Sequence, residues 1–148
     1  TNNFVKFFYA NCVQVIDDSS ALETKSKIMK WKKIPKEVAA MGGGKIDDAW
    51  GVNADGQFYI ISVGSSVLED GRQMNSCSVL SKPQNANDMA QILKSRFRLK
   101  LLIDEIEGYQ RYQQFDAKVS GLPMMFNIIS VDDPKVKLVN LNASYFFK

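Results

Sequence analysis

Cys12 and Cys77 are the only cysteines in a 148-residue chain that has no histidine, and their surroundings decide which parts of the chain must meet. Phe4, Phe7, Phe8, Cys12, Val15 and Ile16 recur at the spacing of a helix with one apolar face. Cys77 lies in an alternating stretch, Met74 to Leu80, where it shares a face with Val79 while Ser76 and Ser78 take the other. Both thiols therefore face a core. Structural zinc wants four ligands, and there is no Cys-x-x-Cys spacing, so a zinc site or a thioredoxin-like pair is not expected. What remains is a long-range bridge or two buried free thiols, and the core-facing positions favour the bridge. It would close a loop of nearly half the chain, contribute about 4 kcal/mol and require an oxidising compartment.

The periodicity changes along the chain. A second helix is expected from the Ser20/Glu23 capping-box spacing toward Trp31, and a short one from Pro35 to Met41, stopped by Gly42-Gly43-Gly44. The period then becomes two. Ala49 to Val52 and Gln57 to Val63 flank a hairpin turn at Asn53-Ala54-Asp55-Gly56, and a loop from Gly64 to Gly71 leads into the Cys77 strand. Asn85 with Asp88 caps a helix carrying Met89, Ile92, Leu93, Arg96 and Phe97. Leu99 to Ile106 reads either as its continuation or as a strand. Three alternating stretches follow, Tyr109 to Val119, Met124 to Val131 and Val136 to Phe147, separated by Gly121-Leu122-Pro123 and Asp132-Asp133-Pro134. The expected fold is a single α+β domain over residues 1–148, with N-terminal helices packed on antiparallel sheet. Its element order is about three strands, a helix, then three or four strands.

Several of these residues also carry a resemblance: Phe7, Phe8 and Cys12 in the first helix; Trp31, Lys32, Pro35 and Glu37; the Ala49-Trp50 step; and Cys77-Ser78-Val79 before a helix. The chain resembles an uncharacterised family of small secreted proteins of Gram-negative bacteria. The resemblance implies the Cys12–Cys77 bridge, a signal peptide or lipoprotein leader, and a periplasmic or secreted location. It supplies no catalytic residue. The Thr1-Asn2-Asn3 start, without an initiator methionine, fits a mature chain whose leader has been removed or left out. No apolar run approaches the roughly 20 residues a membrane span needs.

Without histidine, Ser-His-Asp and Cys-His catalysis are out of reach. Carboxylates could still serve a hydrolase, but Asp47-Asp48, Glu69-Asp70 and Asp132-Asp133 are adjacent pairs, and strand neighbours point to opposite faces; solvated turns are the simpler reading. Gly42-Gly43-Gly44-Lys45 lacks the spacing of a phosphate loop. Lys25, Lys27, Lys30, Lys32, Lys33 and Lys36 form a concentrated basic stretch with Trp31, a candidate patch for an anionic partner and, more simply, a solvated helix end. The net charge of +3 is too small to imply nucleic acid. Tyr109, Tyr112 and Phe115 offer aromatic faces for sugars or bases, or divide between core and half-buried strand. No cofactor or metal is expected. The leading functional expectation is a non-enzymatic envelope protein that binds another macromolecule, such as an inhibitor or immunity factor. A small-ligand or lipid carrier with a pocket between helix and sheet comes second, and a carboxylate-dependent hydrolase third.

Overall fold

The computed structural model describes residues 2–39 and 45–148. In chain order the elements are helix α1 (Asn2–Asn11), a 3-10 turn (Val13–Val15), α2 (Ala21–Ile28), β1 (Lys32–Lys33), α3 (Lys36–Ala39), β2 (Asp48–Ala54), β3 (Gln57–Val67) and β4 (Gln73–Ser81). Then come α4 (Ala86–Arg96), β5 (Arg98–Glu107), β6 (Gln110–Val119), β7 (Leu122–Asp132) and β8 (Lys137–Phe147). The strands form one sheet in the order β1-β2-β3-β4-β8-β7-β6-β5, and every neighbouring pair is antiparallel.

This corrects the expected fold. In place of helices packed on groups of three and then three or four strands, a single eight-stranded antiparallel sheet dominates, with about half of the chain in strands and a quarter in helices. Three local causes account for the difference. The predicted loop from Gly64 is strand up to Val67, because β3 stays paired with β4 as far as Val67↔Gln73. The second helix stops at Ile28, since Lys30 takes a positive φ of 56° and reverses the chain into β1. Leu99 to Ile106 is strand throughout, with a bulge between Leu101 and Ile103. The helix expected from Pro35 begins at Lys36 and is described to Ala39, while the glycine stop at 42–44 lies outside the described residues.

Local chemistry explains the remaining elements. Asp55-Gly56 and Ser120-Gly121 join their strands by two-residue turns in which both residues have positive φ, the geometry that matches the twist of a tight hairpin. Pro123 is thereby inside β7, close to its start, rather than part of a loop. The Asn85 side chain accepts the Asp88 amide at 3.1 Å and caps α4. The Ser20/Glu23 capping box does not form: the Ser20 hydroxyl donates instead to Asp18 Oδ1 at 2.7 Å.

Helices α1 and α4 lie on one sheet face. Their inward residues Phe4, Val5, Phe8, Met89 and Leu93 are fully buried on a floor that includes Tyr59, Val79, Phe115, Phe126, Ile128 and Leu141. Ring contacts lock the layers together: Phe7 stacks on Tyr59 at 4.4 Å, and Phe8 meets Phe126 edge-on at 5.7 Å. The Cys12–Cys77 disulfide ties the end of α1 to β4.

Residues 45–47 run across the opposite face, and Gly64 marks the crossing. A Cβ built there would lie 1.8 Å from the Lys45 carbonyl oxygen, a backbone atom that cannot swing aside. Gly64→Ala must therefore displace residues 45–47, breaking the Asp47 N–H to Val63 O bond (2.8 Å) and the Ser65 N–H to Asp47 Oδ2 bond (2.8 Å). We expect a loss of about 1–3 kcal/mol, measured by denaturant unfolding. A loss no greater than that of an exposed loop substitution would show that this crossing is not close.

Candidate functional site

Strand alternation gives the sheet a second face that the α1 and α4 layer does not cover. Ser62 of β3, Ser76 and Ser78 of β4, Asn140, Asn142 and Ser144 of β8, Asn127 of β7, and Tyr112 and Gln114 of β6 share it, as the strand registers require. On this face the sheet carries a row of neutral hydrogen-bonding groups. Gln114 Nε2 donates to the Tyr112 hydroxyl at 3.0 Å, which donates to Asn127 Oδ1 at 3.0 Å. Asn127 Nδ2 then donates to Asn142 Oδ1 at 3.0 Å, and Asn142 Nδ2 to Ser78 Oγ at 2.8 Å. The relay crosses four strands and fixes the orientation of each carboxamide, because every member uses its neighbour as donor or acceptor.

Beside the relay lies a depression of about 200 Å³ whose lining includes Ser62, Met74, Ser76, Tyr112, Ile129 and Asn140, with Lys45 also contributing. Asn140 is 2% exposed and Ser62 4% exposed, and among the described residues neither side chain has a hydrogen-bond partner. Among the described residues the fully buried side-chain atoms without a partner are Glu23 Oε2, Gln113 Oε1 and Ser130 Oγ, so the polar atoms of Asn140 and Ser62 keep some access, which the depression they line provides. The Lys45 ammonium sits 3.4 Å from Asp47, and burial pushes the Tyr112 phenol above its ordinary pKa, with the Gln114 hydrogen bond acting in the opposite sense. The lining therefore carries no unpaired charge at neutral pH.

A second hollow, about 230 Å³, lies beside the disulfide and is lined by Cys12, Ile16, Leu22, Asp18, Asp47 and Asp48 among others. Its three carboxylates are all engaged. Hydrogen bonds from Ser20 hold Asp18 below the usual carboxylate range; Asp47 accepts the Ser65 amide, and Asp48 meets Lys33 at 2.8 Å. Of the other acidic pairs, Asp70 binds Arg72 in its own turn and Asp132 pairs with Lys137 at 3.3 Å. Among the described residues, no group of three or more acidic or cysteine side chains is placed to hold a metal.

The lysine stretch does not gather on one element. Lys25 bonds Asn11 Oδ1 and lies 5.9 Å from the Trp31 ring, Lys27 pairs with Glu23 at 3.6 Å, and Lys33 pairs with Asp48. The Asp48 hydrogen bond raises the Lys33 pKa. Lys30, Lys32 and Lys36 are exposed on the turn, on β1 and on α3, and have no ion-pair partner among the described residues. The three aromatic candidates separate as well: Phe115 is core, Tyr112 joins the relay, and Tyr109 is exposed at the β5–β6 turn.

The carboxamide row went unrecognised from sequence, although Ser76, Ser78, Asn140, Asn142 and Ser144 were each assignable to the faces opposite Cys77 and Leu141. The missing datum was the β4–β8 pairing, which sets Ser78 opposite Asn142.

Compared with protein-family models, with curated proteins and with solved structures, the chain matches none. The Gram-negative secreted family suggested by the short sequence motifs is accordingly not supported, although the disulfide it implied is present. No helix among the described residues is long and apolar enough to cross a membrane.

Proposed function

We propose that this protein is a non-catalytic binding protein of an oxidising compartment, the bacterial periplasm or exterior, and that it engages another macromolecule through the open sheet face. One observation carries the reading: Asn140, without a hydrogen bond inside the chain, lines a depression with no unpaired charge beside an ordered row of carboxamides and hydroxyls. A charged ligand would be desolvated there without compensation, which selects a neutral one. A carboxamide presents a donor and an acceptor side by side, a match for adjacent hydroxyls that each donate and accept. The partner is thus a glycan, contributing one uncharged sugar unit to a hollow smaller than the roughly 300–1,000 Å³ of drug-sized sites. The carrier reading is disfavoured because the space between α1, α4 and the sheet is filled by Phe4, Phe8, Met89 and Leu93, and the hollow beside the disulfide is lined by three carboxylates. The hydrolase reading is disfavoured because the carboxylates beside the disulfide are already paired.

Amide NMR spectra recorded during titration with neutral oligosaccharides of glucose and of N-acetylglucosamine test this. We expect shifts at Tyr112, Asn127, Asn140 and Asn142 that disappear in Asn140→Leu. Because the Asn140 carboxamide makes no hydrogen bond inside the chain, the same variant is expected to keep its melting temperature within a few degrees of the original, so that a lost shift reports binding rather than unfolding. No shift up to about 10 mM sugar, or shifts confined to other surfaces, would overturn the proposal.

A further inference from the structure

The sheet ends at β5, and this edge is ten residues long and exposed. Every residue from Arg98 to Glu107 except Leu99 and Ile103 is exposed, and Ile106 reaches 75% exposure. Its outer N–H and C=O groups form a template for another strand, which natural proteins usually block with charges, proline or a covering element. Here charges are present but divided by sign: Arg98 and Lys100 occupy one end, and Glu105 and Glu107 the other. Among the described residues, none of these four has an ion-pair partner within the chain. We propose that β5 pairs with β5 of a second copy, antiparallel and about a two-fold axis, to join two eight-stranded sheets into one.

The register follows from the sequence of the strand. Placing Lys100 opposite Glu105 of the other copy also places Arg98 opposite Glu107 and Leu99 opposite Ile106, each pair occurring twice by symmetry. A regular strand would forbid this arrangement. Directly opposite residues must share a face, and residues five or nine apart in a period-two strand do not. The bulge removes the conflict. Leu101 pairs with Phe115 but Ile103 pairs with Gln114, so Leu102 is an extra residue that shifts the second half of β5 by one face.

Tracing the register inward confirms the phase. Lys100 lies opposite Asp116 and Glu105 opposite Tyr112, both on the open face; Leu99 lies opposite Ala117 and Ile106 opposite Arg111, both on the helix-covered face. Leu102 and Ile103 meet at the axis. The remaining pair sets Leu101 opposite Asp104, whose carboxylate is already held by Arg111 through bonds of 2.9 and 3.0 Å, so no acid is left unpaired against the leucine. A strand that only repelled neighbours would not need its charges ordered to match its own reversed copy while a bulge restores the faces.

Two ten-residue strands make a small contact, at the low end for specific interfaces, so dimerisation is expected in the micromolar to millimolar range. Sedimentation equilibrium of the intact, oxidised protein measures it. Lys100→Glu turns two attractions into two repulsions and should weaken the dimer by roughly ten- to a hundred-fold. Glu105→Lys should do the same. The double swap Lys100→Glu/Glu105→Lys restores both pairs and should return the affinity close to the original. A single monomeric species up to about 1 mM overturns the inference. So does a dimer whose affinity ignores the single substitutions, or one that the double swap does not rescue.

Discussion

Reducing the Cys12–Cys77 bond is expected to cost about 4 kcal/mol of stability and to lower the melting temperature by roughly 10 °C. The bond joins residues 65 positions apart, so its loss releases a long loop in the unfolded ensemble, and the entropy of that loop is the largest single contribution. The released segment is not peripheral. It contains α2, β1, β2 and β3, and the bond also fixes the end of α1 against β4, where both sulfurs are buried. Cys12→Ala/Cys77→Ala separates the bond from the chemistry of free thiols, since serine would bury two hydroxyls. The reduced protein should also show a steeper dependence of unfolding free energy on denaturant, because its unfolded chain is more expanded. Two titratable thiols in the denatured, unreduced protein, or a stability change under about 1 kcal/mol, would contradict this account.

Sequence periodicity carried part of this arrangement and missed part of it for identifiable reasons. The N-terminal apolar stripe was legible in that Phe4, Phe8, Cys12 and Ile16 are all buried, but the single helix it implied ends at Asn11 and gives way to a 3-10 turn at Val13–Val15. The hairpin expected at Asn53-Ala54-Asp55-Gly56 was legible, because positive φ at two successive residues has few chemical solutions, but it is tighter than expected: Asn53 and Ala54 belong to β2 and only Asp55-Gly56 turns. Leu99 to Ile106 was ambiguous because the bulge at Leu102 breaks the alternation at its centre: the run Leu101-Leu102-Ile103 fits no strict period. The lysine stretch looked like a helix end because periodicity does not foresee the left-handed turn at Lys30. Least legible was the candidate site. Ser78, Asn142, Asn127 and Tyr112 belong to four strands, and their relay exists only because β4 pairs with β8, a contact between segments separated by α4 and three strands. Local pattern assigns a face to each residue but does not say which strand lies beside which.

Removing the Phe126 ring is the substitution expected to disrupt the layer opposite that site most. Phe126 is fully buried on β7, with its ring edge-on to Phe8 of α1 at 5.7 Å and to Phe97, just after α4, at 5.3 Å. It is therefore a point at which both helical segments meet the sheet. Phe126→Ala should cost about 3–5 kcal/mol from lost transfer energy and the residual cavity, with part of that loss coming from two edge-to-face contacts. The melting temperature should fall by roughly 10 °C. Phe58→Ala is the matched control: its ring is 48% exposed on the other face, near Gly51, and its loss should cost no more than about 1 kcal/mol. Phe126→Leu keeps most of the volume and should fall between them. If thermal unfolding ranks Phe126→Ala with Phe58→Ala, then α1 and α4 are not docked through this ring. If the order holds, α1 and α4 stabilise the fold through the sheet face opposite the carboxamide row, and substitutions in that row can be tested for binding with the helical layer intact.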